Sequence, residues 1–332
     1  MLLAAAVAAT LASGGQLFGQ SIWMTRAQVR VLPVDSAAWM QLKAGADSEP
    51  PDPNLADQDE KTGVYVLAKA LVFARSGNPT YRQQVVEACQ HVIGTEQGGR
   101  TLSLGRKLAS YVIAVDLIGW HDDKFDAWLR DVRHESLDGR TLVDTHEDRP
   151  NNWGTHCGAS RIAVAAYLAD KQDLDRAARV FHGWLGNHKA YDDFTFGGDL
   201  SWQADEDRPV GVNPLGATKD GHSIDGCLPD DMRRGGDFQF PPGKTRYPWG
   251  ALEGAVLAAE LLERQGYPAF AWEDKAILRA FRFLYGIGWQ PDHNDQWMLY
   301  ILNRRYGPSF KVTKLIDPGK NMAWTNWTHA PR

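Results

Sequence analysis

The chain has 332 residues, enough for one large domain or two ordinary ones. Its apolar share of 43% and charged share of 23% are those of a soluble globular protein, and a net charge of -5 argues against a nucleic-acid binder, which carries a basic surplus. An anionic ligand stays open, because a local basic cleft can sit in an acidic protein.

In chain order, residues 1–19 are apolar and rich in small residues, like the core of a signal peptide, without a basic leading stretch. They are too short for a clear membrane span, and no later stretch approaches about 20 apolar residues. Residues 20–61 read as an irregular leading segment, acidic and Pro-containing over 47–60. Helical periodicity follows. Val64, Leu67, Ala68, Leu71 and Val72 fall at i, i+3, i+4, i+7 and i+8. Asn78 as N-cap and Pro79 at the first helical position start the next helix, with Val85, Val86, Cys89, Val92 and Ile93 on its stripe. Leu104, Leu108, Tyr111, Val112 and Val115 mark a third and residues 125–132 a fourth. Helices are predicted over 159–168, 174–185, 247–265 with Gly266 as its stop, 275–285 and 295–306. A long stretch rich in Gly, Asp and Pro fills 186–246, and a stretch of that length inside a compact domain is usually functional. No βαβ unit and no convincing strand alternation is present. Helix pairs joined by short loops point to an all-α fold, an incomplete (α/α) toroid or helical bundle, with residues 21–332 as a single domain behind a signal-like segment over 1–20.

Cys89, Cys157 and Cys227 are too widely spaced for a CxxC motif, and they allow at most one disulfide. Cys89, on an apolar stripe, reads as a buried thiol. Thirteen Trp is a high count, fit for core filling and for stacking on sugar rings, with roughly a quarter expected in a cleft. Two clusters carry candidate chemistry. Arg149-Pro150-Asn151-Asn152-Trp153-Gly154-Thr155-His156 lies in a loop before a predicted helix, where an anion is welcome and where Asn equally serves as a plain cap. His222 to Gly235 contains Asp225, Gly226, Pro229, Asp230, Asp231, Arg233 and Arg234, and it also fits a solvated surface loop. Arg246-Tyr247-Pro248-Trp249 then opens a helix that runs on to Ala259-Glu260-Leu261.

Taken in order, these segments resemble the alginate-lyase superfamily of polysaccharide lyases. That family carries an Asn-Asn-His segment, an Asp-Gly-x-x-Pro-x-Glu-x-x-Arg-Gly stretch, and a Tyr opening a helix that ends in Ala-Glu-Leu. The matches are Asn151-Asn152, Asp225-Gly226, Pro229, Arg234-Gly235, Tyr247 and Ala259-Glu260-Leu261. Leu104-Gly105-Arg106 and Tyr111-Val112-Ile113-Ala114 also look like the family, and the resemblance spans roughly residues 62–330. Three departures stand out: Trp153 occupies the His position, Asp230 or Asp231 the Glu position, and the spacer before Tyr247 is longer.

The resemblance implies cleavage of a uronic-acid polymer by β-elimination without a cofactor; the lack of an HExxH or a closely spaced Cys/His set argues against a metal, and the signal-like first segment points to a secreted or periplasmic setting. Such a lyase must neutralise the sugar carboxylate, remove the C5 proton and protonate the departing O4. By analogy Asn152 and Arg234 bind the carboxylate, an Arg fork matching it in bidentate fashion. Tyr247 is the acid and can also serve as the base; a phenol is ordinarily protonated at neutral pH, so a nearby Arg would have to stabilise its anion. The imidazole missing at Trp153 could come from His156 or His222, since His titrates near neutrality; failing both, Tyr247 acts alone in a syn elimination. Asn151, Trp153, Arg233, Asp225, Arg106, Tyr111, Trp249 and Trp327 are expected substrate-binding side chains. Trp324, Trp327 and His329 form an aromatic patch that either lines a subsite or packs the last loop. Two other classes stay in play: an inverting glycoside hydrolase using Asp225 with Asp230 or Asp231, and a non-catalytic binder of acidic glycans on a lyase fold. Asp205-Glu206-Asp207 could hold Ca²⁺ weakly but reads better as solvated charge.

Overall fold

The computed structural model describes residues 21–331; the signal-like segment lies outside the described residues. The helices are α1 (Arg26–Arg30), α2 (Ala37–Asp47), α3 (Thr62–Ser76), α4 (Pro79–His91), α5 (Thr101–Ile118), α6 (Asp123–Val132), α7 (Leu142–Asp148), α8 (Asn152–Tyr167), α9 (Lys171–Trp184), α10 (Pro229–Met232), α11 (Tyr247–Arg264), α12 (Trp272–Gly286), α13 (Trp297–Tyr306) and α14 (Thr325–Thr328). The described strands are two-residue pieces, Thr218–Lys219 paired antiparallel with His222–Ser223. The fold is all-helical, as the sequence predicts.

Burial sorts the helices into two layers. α3, α5, α8 and α11 are buried on nearly every face and pack side by side in that order. α4, α6, α9 and α12 carry apolar stripes, such as Phe125, Leu129 and Val132 on α6. Burying each such side chain contributes about 1.5–3 kcal/mol relative to exposure. Contacts between the inner helices advance in the same direction along both partners. Gly105 lies against Cys157, and Ser160 Oγ, which donates to the Gly105 carbonyl at 2.7 Å, accepts from the Ala109 N–H at 3.1 Å. Gly250 faces Asn152 and Gly254 faces Thr155–His156. α5, α8 and α11 are therefore parallel, and α8 and α11 begin at the same end of the layer. The closeness needs glycine: a Cβ on Gly105 would sit 2.8 Å from Cys157 Sγ, and one on Gly254 2.4 Å from the Thr155 backbone.

Several sequence expectations change. The leading segment is not irregular throughout, since it holds α1 and α2, capped by Thr25 and Ser36. α7 was not anticipated. α8 starts at Asn152, seven residues ahead of the predicted 159, so the first cluster is the opening of a helix and not a loop. The stretch 186–246 contains α10, a 3₁₀ turn Arg233–Gly235 and the short ladder, with side chains replacing regular pairing elsewhere. Gln203 bonds both ways with Val210 at 3.0 Å, and Asn213 Nδ2 donates to the Trp202 carbonyl at 2.9 Å. All three cysteines are buried free thiols. No described helix is long and apolar enough to cross a membrane.

The chain end is clamped to the start of the fold. Trp324 Nε1 donates to the Val64 carbonyl and Trp327 Nε1 to the Pro33 carbonyl, each at 2.7 Å. His329 is buried beside Trp23, with ring centroids 5.0 Å apart. Of the two readings of the aromatic patch, the geometry is that of packing.

Candidate active site

The opening of α8 divides the work of its two asparagines. Asn151 is the N-cap: its Oδ1 accepts from Trp153 N–H at 3.1 Å, and its Nδ2 donates to Asp230 Oδ2 at 2.7 Å. Capping is thus done by Asn151, and the Asn152 side chain is spared it. The Asn152 backbone N–H donates to Asp231 Oδ1 at 3.2 Å, while its Oδ1 is buried without a partner. Asp230 Oδ1 also accepts from Gly197 N–H at 3.2 Å and from Arg233 Nε at 2.8 Å. The two aspartates of α10 therefore grip the first turn of α8. They do so in different ways. Burial, and then the charge of Asp230, push the Asp231 carboxyl well above its usual range, against the pull of the Asn152 N–H, Arg234 and Arg233. Burial in that setting opposes its charge.

Three residues beyond Asp231, Arg234 reaches the first residue of α11. Its Nη2 donates to the Tyr247 phenol oxygen at 3.1 Å, and its guanidinium carbon lies 4.1 Å from the centroid of the same ring. Tyr247 is 37% exposed. Gly250, three residues further and on the same face of the helix, places no side chain between α11 and Asn152: a Cβ there would lie 3.7 Å from Asn152 Cβ and 3.8 Å from Nδ2. An amide, a guanidinium and a phenol from three separate segments are thus gathered at one end of α8 and α11. Together they offer donors to an anion beside a hydroxyl able to move a proton. Trp153, half-buried, is the next residue after Asn152, with the Arg149 guanidinium 5.8 Å from its ring.

The other expected site residues scatter. His156 is 1% exposed, one helical turn below Asn152; both ring nitrogens lack hydrogen-bond partners, and Nε2 lies 3.8 Å from Glu253 Oε2. Burial, then the charges of Arg106 and Lys320, hold its imidazole well below the ordinary range, so it is neutral. His222 is exposed on the short ladder and stacked on Phe240 at 4.2 Å. Asp225 is tied to Arg279 at 2.6 Å. Arg233 is committed to Asp230. Tyr111, Trp249 and Trp327, expected to touch substrate, are core side chains: Tyr111 packs against Gly63 between α3 and α5, Trp249 meets Phe281 of α12 edge-on at 5.2 Å, and Trp327 joins the clamp at the chain end. Arg106 is half-buried on α5, with Nε unpartnered, and its guanidinium feels Glu253, Asp59 and Asp295. Cavities of about 430, 440 and 440 Å³ lie away from Tyr247, one under Phe240 and Arg282, one beside Trp327 and one between Arg100 and Asp138.

Sequence reasoning missed Glu253, Asp295 and Arg246. Glu253 did carry a signal, a lone charge in Gly250-Ala251-Leu252-Glu253-Gly254-Ala255-Val256. A charge inside an otherwise apolar helix needs a partner or a proton.

No family model matches the chain, and no curated protein matches it. Among solved structures it is similar to alginate lyase A1-III from Sphingomonas species A1, with a TM-score of 0.57 and 12% identity over 92% of this chain and 93% of that one. At that identity the likeness speaks for the fold alone: an all-helical architecture shared with that protein.

Proposed function

We infer that the chain is a polysaccharide lyase that cleaves a uronic-acid polymer, of the alginate, polymannuronate or glucuronan-like class, by β-elimination. The observation that carries the reading is the Arg234 guanidinium on the Tyr247 phenol oxygen at 3.1 Å, at the face of α11 that Asn152 occupies. The fold shared with an alginate lyase supports it. Asn152 and Arg234 would neutralise the sugar carboxylate, so that charge developing at C5 spreads onto its oxygens. The Tyr247 oxygen, as the anion, would take the C5 proton. The freed electron pair becomes the C4–C5 double bond, and the C4–O4 bond breaks. The phenol so formed then gives its proton to O4 and returns to the starting state. One group serves as base and acid on one face of the ring, which is the syn route. His156 supports this assignment by its burial and His222 by its stack on Phe240. No cofactor enters the scheme, residues 21–332 act as one domain, and the apolar first segment fits export.

The hydrolase alternative needs two accessible carboxylates across a sugar. Asp225 is engaged by Arg279, and Asp230 and Asp231 are buried holding α8, which weighs against it.

The test is a panel of acidic polysaccharides followed by near-ultraviolet absorbance of the unsaturated uronate. The expected result is signal on at least one polyuronate and a fall of about 10²–10⁴-fold in Tyr247→Phe. An unchanged rate in that variant would remove Tyr247 from the chemistry, and chain shortening without the absorbance would point to hydrolysis.

A further inference from the structure

Six residues beyond Tyr247, Glu253 turns its carboxyl into the interior, among groups that the elimination scheme does not use. It is 8% exposed and lies beside the Asp295 carboxyl, which comes from the 3₁₀ turn His293–Asp295 and is 3% exposed. Arg246, the residue before Tyr247 and the N-cap position of α11, reaches the same carboxyl from outside: Nη2 lies 3.4 Å from Asp295 Oδ2, and Nη1 lies 2.7 Å from Asp292. From α8, His156 Nε2 stands 3.8 Å from Glu253 Oε2. From α5, Arg106 faces Glu253, with the Asp59–Lys320 pair beyond it. Two ionised carboxylates are acceptors only and repel, so two buried carboxyls set side by side are best satisfied by one proton held between them.

We propose that Glu253 and Asp295 share one proton and form a positioning pair: Asp295, bridged to Glu253 on one side, anchors Arg246 on the other, and so fixes the first turn of α11 that presents Tyr247 to Arg234. Beside the titration, the burial of both carboxyls and the ion pairs of Arg246 with Asp295 and Asp292 carry this, and the anchored arginine is the immediate neighbour of the proposed acid/base. Burial and then the charge of Asp295 push the Glu253 carboxyl up to about 8, against the pull of Arg106 and Arg246, so the shared proton is present at neutral pH. The link to Tyr247 rests on the lyase reading; the acid pair does not.

The sign follows from linkage. A carboxyl raised from about 4.5 to about 8 on folding favours the folded state fully below 4.5, and that advantage disappears as pH rises through 8. The test compares wild type, Glu253→Gln and Asp295→Asn by thermal unfolding midpoint between about pH 5 and pH 9. Gln keeps a hydrogen-bond donor and cannot ionise. The wild-type midpoint should fall by several degrees over that range, and Glu253→Gln should lack most of the fall. Asp295→Asn, which also removes the paired charge, should flatten it too and reads the pair if the first variant fails to fold. Equal slopes in all three would overturn the proposal. The second readout is the pH profile of polyuronate cleavage, where wild type should decline above about pH 8 and Glu253→Gln should hold its rate further into the alkaline range. Identical profiles would remove the positioning role. Cleavage of no polyuronate by any of the three, with the unfolding slopes as expected, would remove the lyase reading and leave the acid pair standing.

Discussion

Adding one methyl group at Gly254 should damage the fold, while the same addition at Gly250, one turn earlier on α11, should not. At Gly254 a Cβ would lie 2.4 Å from the Thr155 carbonyl carbon and 2.5 Å from the His156 nitrogen. These are backbone atoms of an inner helix and cannot swing aside, so α8 and α11 must part. Overpacking of a close-packed interior costs about 1–3 kcal/mol, and a clash with backbone on a fully buried seam belongs at the upper end. Ala is a better helix former than Gly by about 1 kcal/mol, which leaves a net loss of about 2 kcal/mol. In a chain of this size that is a fall of about 4 °C in melting temperature. At Gly250 the new Cβ meets only Asn152 Cβ and Nδ2, at 3.7 and 3.8 Å, which is ordinary contact. There the helix preference acts alone, and the midpoint should hold or rise by about 2 °C. Circular dichroism melts of Gly254→Ala and Gly250→Ala beside wild type decide the matter. A Gly254→Ala protein that melts at or above wild type would show that α8 and α11 do not pack as described.

The two aspartates of α10 should also separate. Asp230 accepts three side-chain or backbone donors, so Asp230→Asn should lose about 1.5–3 kcal/mol, whereas Asp231→Asn, where burial opposes the charge and one backbone N–H donates, should change stability by less than about 1 kcal/mol; urea midpoints measure both, and equal losses would show that Asp231 holds α8 as strongly as Asp230 does. Acid should weaken the clamp at the chain end. Burial alone would raise the Glu260 carboxyl, but the hydrogen bond of His329 and the charges of His329, Arg305 and Arg264 hold it at about 2. A carboxyl lowered from 4.5 to about 2 gives stability that is complete above 4.5 and lost as pH falls to about 2, an amount of about 3 kcal/mol, and Glu260→Gln should remove this part of the acid-unfolding curve.

α4, α6, α9 and α12 meet solvent on one side and the inner layer on the other, and that contrast is what periodicity detects; α3, α5 and α11, buried nearly all round, were legible instead from their long apolar runs. α8 is buried all round. Its first turns, Asn152-Trp153-Gly154-Thr155-His156-Cys157-Gly158, show no stripe because glycines there face backbone and His146 where other helices place Leu or Val. α1 and α2 did leave a local mark, Thr25 with Gln28 as a capping box and Ser36 as a cap, but the polar residues around them hid any stripe. At the candidate site, Asn152, Arg234 and Tyr247 were singled out by ordered motifs, and the fold brings Arg234 onto Tyr247 at the face of α11 where Asn152 lies. Tyr111, Trp249 and Trp327 were misread because an aromatic suits a sugar and a core equally well, and only the packing distinguishes the two.

Trp153 stands where the motif that the sequence resembles has His. An imidazole directly after Asn152 would belong to the outer turn of α8. In this chain the nearest imidazole of that helix is His156, three residues and about 4.5 Å further along the axis. There it lies under Gly254 and Glu253, where burial keeps it neutral and leaves both nitrogens without partners. Its proximity in sequence to Asn152 does not bring it to the surface that Arg234 and Tyr247 share. On the lyase reading the proton must then be handled by the group that is exposed and already bonded to a guanidinium, which is Tyr247. His156 and Glu253 lie beneath it as support for α11. Exchanging His156 for Ala should therefore act mainly through stability, with a lower melting temperature and a retained kcat in the folded fraction. A kcat loss as deep as that of Tyr247→Phe, in a protein that melts like wild type, would return the base to the histidine.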